Sequence, residues 1–187
     1  MDRCGFFGIY QARCGEGTVI LNLEDDSYAC RYDGPSDEMS DACAAPRQSP
    51  WREAEPRHEL IRPGDVLLFL RAYGAALAAF PRRPLRALMG RALRLAHVSR
   101  RHAPSPLTLA ARFERLSLYL PWRPPCLLRS FALLHYLALH GHGADWIIGV
   151  QLFPFRAHCW LAIDDLLLAE RAHLIEDYVP IYRMQGR

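Results

Sequence analysis

The segment from Cys126 to His140 is apolar nearly all round, and no other property constrains the fold as tightly. A helix without a polar face has no side to present to water, so the rest of the chain must surround it. Pro124-Pro125 precede it and Gly141 provides a natural stop. Beyond that glycine the period changes. Trp146 to Phe153 reads as a strand, and His158 to Ile163 with Leu166 to Glu170 reads as a hairpin turning at Asp164-Asp165. A central helix followed by antiparallel strands predicts an α+β fold.

Three more helices are expected upstream. One starts at Pro63-Gly64-Asp65, with Asp65 as its cap, and is broken by Pro81 and Pro84. A second runs from Leu85 to Val98. A third starts at Ser105, with Pro106 at the first helical position, and reaches about Leu118. The first thirty residues read differently. Phe6 to Gln11, Thr18 to Leu23 and Ser27 to Tyr32 are short β-prone runs separated by Gly15-Glu16-Gly17 and Glu24-Asp25-Asp26. Residues 34–60 are polar and rich in Pro, Ala and Glu, and read as linker with a short helix from Ser36. The division expected is therefore residues 1–62, three strands with short helices, and residues 63–187, the helix-and-strand domain.

A net charge of +3 does not describe a dedicated nucleic-acid binder. All the positive side chains are Arg, a coding bias of GC-rich genomes rather than a functional sign. The Arg-rich stretch from Arg82 to Arg101 allows a membrane-surface reading, but an amphipathic helix with a solvated basic face explains it as well. The six cysteines, at positions 4, 14, 30, 43, 126 and 159, make no C-x-x-C pair and no zinc-finger spacing. His135, His140, His142 and His173 make no recognisable metal motif either. Met1-Asp2-Arg3-Cys4-Gly5 does not open a signal peptide, and Val66 to Phe80, interrupted by Arg71, is too short to span a bilayer. A cytoplasmic protein with reduced thiols is the expectation.

The chemistry centres on Cys126 and His158. A thiol at a helix start meets exposed N–H groups and the positive dipole end, both of which favour thiolate. A histidine opening a facing strand can serve as its base, the pairing of thiol acyl-transfer enzymes. By residue type alone, the same two positions also suit a small hydrophobe and a hydrogen-bonded core imidazole. Cys159, next to His158, is expected on the opposite face of the strand as packing, and Trp160 on the histidine's face as core or as a shield. Gln151 or backbone N–H groups are candidates for an oxyanion hole.

Leu120-Pro121-Trp122-Arg123-Pro124, the run Cys126-Leu127-x-Arg129-Ser130-x-Ala132-Leu133, Ile148-Gly149-Val150 and Arg156-Ala157-His158-Cys159-Trp160 occur in an order and spacing that resemble the lasso-peptide B proteins. These are cysteine proteases with a papain/transglutaminase-like fold that remove the leader from a lasso-peptide precursor. The resemblance implies Cys126 as nucleophile and His158 as base. It implies an orienting aspartate where this chain has Glu170; Asp164, nearer in sequence but placed at the expected turn, is a distant second. It also implies that the N-terminal strands resemble a small winged-helix-like module for leader recognition; a plain hairpin that pads the fold would look the same. The implied partners are the precursor peptide and an ATP-using cyclase of asparagine-synthetase type. No nucleotide site is visible, so no cofactor is assigned. A transglutaminase-like acyltransferase would use the same pair, and a non-catalytic peptide-binding module could share the fold.

Overall fold

Residues 8–32, 51–53, 60–80, 84–96 and 104–186 are described in the computed structural model. Cys4, Cys43, the helix expected from Ser36, and the ends of several expected elements (Phe6, Phe7, His97 and Val98) lie outside them, as do Arg82, Arg83 and Arg101. Twelve elements follow in order: β1 (Ile9–Cys14), β2 (Gly17–Asn22), β3 (Ser27–Tyr32), α1 (Pro63–Ala79), α2 (Leu85–Ala96), α3 (Pro106–Ser117), α4 (Cys126–Leu139), β4 (Asp145–Gln151), β5 (Arg156–Ile163), β6 (Leu166–Leu168), α5 (Ala172–Ile175) and β7 (Val179–Met184).

Helix α4 is the axis of the molecule. Leu128, Phe131, Ala132, Leu133, Leu134, Tyr136 and Leu137 are all buried, as its apolar circumference requires. It ends in a Schellman pair: Gly141 has φ +84, and the N–H groups of Gly141 and His142 return to the carbonyls of Ala138 and Leu137 at 3.0 and 2.9 Å. Helices α1, α2 and α3 and strand β5 all pack against α4. Ser130 accepts a hydrogen bond from Trp146 Nε1 at 2.9 Å, which fixes the helix to β4. Asp65 sits three residues inside α1 rather than at its cap, where its carboxylate accepts the N–H of Arg62 at 2.8 Å. It also pairs with Arg112 of α3 at 3.4 Å in the buried interior. In α2 the buried side is Leu88, Met89, Ala92 and Ala96. Arg86 and Arg94 point to solvent, as an ordinary amphipathic helix would have them.

The main sheet is antiparallel, in the order β6-β5-β4-β7. The β5–β6 hairpin turns at Asp164-Asp165 as expected, with Asp164 at φ +55. Strand β7 has no counterpart in the sequence reading. It carries Pro180, opposite a register shift at Ile148/Gly149, and it lies at a sheet edge where a missing N–H costs little. One face of the sheet covers α4. The other has its own small core of Trp51, Ile147, Trp160, Ala162, Leu167 and Ile175.

The first three strands form a separate antiparallel meander, β1-β2-β3. Gly15 takes φ +60 at the first turn. Ala12, Cys14, Val19, Leu21 and Leu23 join the same buried cluster as α4, and the Tyr10 and Tyr182 rings meet edge to face at 4.9 Å. The second turn caps a helix: Asp26 accepts the N–H of Leu85 at 2.9 Å. Farther along, Arg52 bridges to Leu166 in parallel and its guanidinium grips Asp165 at 2.6 and 2.8 Å. The short segment 51–53, expected within the N-terminal part, is thus strapped to the main sheet. Among the described residues no helix is long and apolar enough to cross a membrane.

Candidate active site

Cys126 is the first residue of α4, with Pro125 at the N-cap. Proline suits that boundary because it has no N–H to leave unpaired and disfavours continuation upstream. Strand β5 runs past the helix end, and alternation along it sends neighbouring residues to opposite faces. His158 and Trp160 share one face, their rings 6.1 Å apart and within 24° of parallel. The Tyr178 ring flanks the imidazole from another side at 5.6 Å. Gly149, opposite His158 on β4, is what admits this stack: a β-carbon there would lie 2.5 Å from the Trp160 ring.

Cys159 faces the other way, as expected, but that face is the one α4 covers. Its thiol therefore meets Cys126, and it is more than packing. Cys126, Arg129, Ser130, His158, Cys159 and Glu170 line one narrow cleft.

Glu170 arrives from the segment after β6. Its Oε2 lies 2.9 Å from His158 Nε2, with the carboxylate 8% exposed. Since Nε2 is engaged there, Nδ1 is the nitrogen left for the thiol. Asp164 does not take this part: it sits in the β5–β6 turn, and its carbonyl accepts Arg183 Nη2 at 2.7 Å. Gln151 stands at the far end of β4 opposite Arg156 and lines a different cavity, so it is not at the thiol.

The electrostatics follow from these neighbours. The Cys126 thiol is brought down to about 4, first by the hydrogen bond from the Cys159 thiol. Burial opposes that shift, and the bond and charge of His158 add to it. His158 would be lowered by burial, yet hydrogen bonds to Cys126 and Glu170 and their charges raise it to about 9. Glu170 is likewise opposed by burial and is held below its ordinary value by His158 first, then by the Arg171 N–H and Arg129. Cys159 is raised well above a free thiol, because it donates to Cys126 and because it is buried. At neutral pH the arrangement is a thiolate–imidazolium pair with a carboxylate behind the ring and a protonated thiol beside the sulfur.

One residue comes from the meander. The Tyr28 side chain packs on Phe155 at 5.2 Å, and burial pushes its hydroxyl up to about 12, with the sulfurs of Cys159 and Cys126 adding to the shift. Strand β3 is thus joined, through Tyr28 and Phe155, to the turn that leads into β5 and His158. Nothing local to Ser27–Tyr32 could have announced this, since the contact crosses most of the chain. Arg129, by contrast, stood in the recognised run and lies one helical turn from Cys126, which puts both on one side of the helix. His135 and His140 are elsewhere, half-buried and lowered by that burial, and His142 Nε2 contacts the Pro104 carbonyl at 2.8 Å. The described residues contain no cluster able to hold a metal ion.

A family model described as the transglutaminase-like superfamily matches residues 67–183, from α1 to β7, well over half of the chain. The matched span includes Cys126, His158 and Glu170 and leaves out the meander. Comparison with curated proteins finds no match, and comparison with solved structures finds none.

Proposed function

This chain belongs to the transglutaminase-like superfamily, and from that premise we propose that it is a cysteine peptidase that removes the leader from a lasso-peptide precursor. The observation that carries the reading is the pairing of His158 Nε2 with Glu170 at 2.9 Å, which turns the other ring nitrogen to a thiol at a helix start. In this reading the Cys126 thiolate attacks the scissile carbonyl. His158 Nδ1 then gives its proton to the departing amine of the core peptide. The leader remains as a thioester on Cys126. Water attacks the thioester, losing its proton to His158, and the leader acid leaves as the thiolate re-forms. Proton transfer of this kind contributes about a hundred- to ten-thousand-fold in rate. Glu170 keeps the imidazole in the required tautomer and stabilises the imidazolium.

The lasso assignment is supported by the four matching sequence runs and by the meander. Strand β3 is an edge strand of its sheet and is exposed along most of its length. A leader could add to that edge through backbone hydrogen bonds, and Tyr28 would bring the paired peptide to the thiol. Under this reading β1–β3 are the strands of a winged-helix-like recognition module within residues 1–62. The freed core would pass to an asparagine-synthetase-like cyclase. Incubating the protein with a lasso-peptide precursor, and weighing the products, tests the proposal. Free leader acid and free core amine are the expected pair. An intact precursor would contradict it, while a leader amide with an added amine would mark an acyltransferase.

A further inference from the structure

Glu170 is the member of the cluster that no regular element holds. It follows Ala169, which takes φ +52, a left-handed conformation that a residue with a β-carbon adopts only when its surroundings enforce it. That turn brings the chain back beneath His158. Arg129 reaches it from α4: Nη2 donates to the Ala169 carbonyl at 2.9 Å, and Nη1 lies 3.8 Å from Glu170 Oε2. The same Oε2 faces His158 Nε2 at 2.9 Å, while Oε1 accepts the backbone N–H of Arg171 at 3.2 Å. Glu170 is thus met by His158 from β5, by Arg129 from α4 and by its own neighbour's backbone. A planar guanidinium can span a carbonyl and a carboxylate at once; a lysine ammonium supplies the charge without the fork.

We infer that Arg129 is a positioning residue, whose guanidinium ties Glu170 and the left-handed turn before it to the helix that carries Cys126. The inference rests on the Cys126–His158–Glu170 reading above and deepens it. Nucleophile and orienter then share one rigid support, and the longer arm of a glutamate gains a second anchor where an aspartate would need less.

The test requires no peptide substrate. The pH titration of the His158 imidazolium, followed by NMR of its ring carbon-bound protons, is compared in wild type, Arg129→Gln, Glu170→Gln and the double variant. Arg129→Gln should move the midpoint downward by about one pH unit, because a loosened carboxylate supports the imidazolium less. The double variant should match Glu170→Gln alone, since Arg129 acts through that carboxylate. Arg129→Lys should fall between wild type and Arg129→Gln, and it carries the comparison if the glutamine variant fails to fold. An unchanged midpoint in Arg129→Gln would overturn the inference. An upward shift would too, since it would make Arg129 only an opposing charge beside the ring. So would a further full shift in the double variant, which would make the two residues independent. Loss of the peptidase reading, by an intact precursor with wild type, would leave this titration result standing.

Discussion

At the scale of single residues the account rests on a charge separation. Cys126 is brought to about 4 and His158 to about 9, so the reactive ion pair fills the window between those values. The sign runs one way on each side: acid protonates the thiolate, and base discharges the imidazolium. Alkylation of Cys126 should therefore rise with an acid midpoint near 4. In His158→Ala it should move up toward the ordinary thiol range, about 8.5; a midpoint unmoved by that change would show that His158 does not face the sulfur. Glu170→Gln should lower single-turnover cleavage strongly with little effect on leader affinity, and Glu170→Asp should retain substantial activity. Full activity in the amide variant would reduce the site to a Cys–His dyad. The structure brings these three positions together; Cys126 and His158 leave local marks at a helix start and a strand start, whereas Glu170 was expected only from the interval that the resemblance implies. Cys159 was misjudged for a physical reason: alternation along β5 fixes which face it takes, but not what covers that face.

At the scale of elements, α4 and its glycine stop were readable because an apolar circumference allows one environment only. The β5–β6 hairpin was readable from its Asp164-Asp165 turn. Strand β7 was not, since Pro180 argues against a strand until its edge position and the register shift opposite are known. Gly149 shows how an element can tune the site. A methyl group there would press on Trp160 at 2.5 Å and on Tyr178 at 3.1 Å, the two rings that flank His158. Gly149→Ala should cost about 1–3 kcal/mol through overpacking, read as a lowered melting temperature. It should also reduce turnover by about ten- to a hundredfold, because small displacements of a reacting group are expensive. A variant destabilised to this extent but fully active would mean that the Trp160 stack does not position the imidazole.

At the scale of the whole molecule, the meander and the helical domain share buried side chains, and Tyr28 carries that contact to Phe155, just before β5. Sequence patterns marked the three strands but could not say where they dock, because docking depends on pairs such as Tyr10 with Tyr182 that lie far apart in the chain. If the leader adds to the open edge, the amides of Ser27–Tyr32 should gain hydrogen-exchange protection when leader peptide binds the full-length protein. Protection confined to other elements would remove β3 from recognition. The central claim, acyl transfer through Cys126, is tested most directly by weighing the intact protein milliseconds to seconds after mixing with precursor and quenching in acid. The account predicts a transient gain equal to the leader acyl group, mapped to the Cys126 peptide and lost as free leader appears, with no such gain in Cys126→Ala. Cleavage in Cys126→Ala, or an acyl group carried on Cys159, would contradict it.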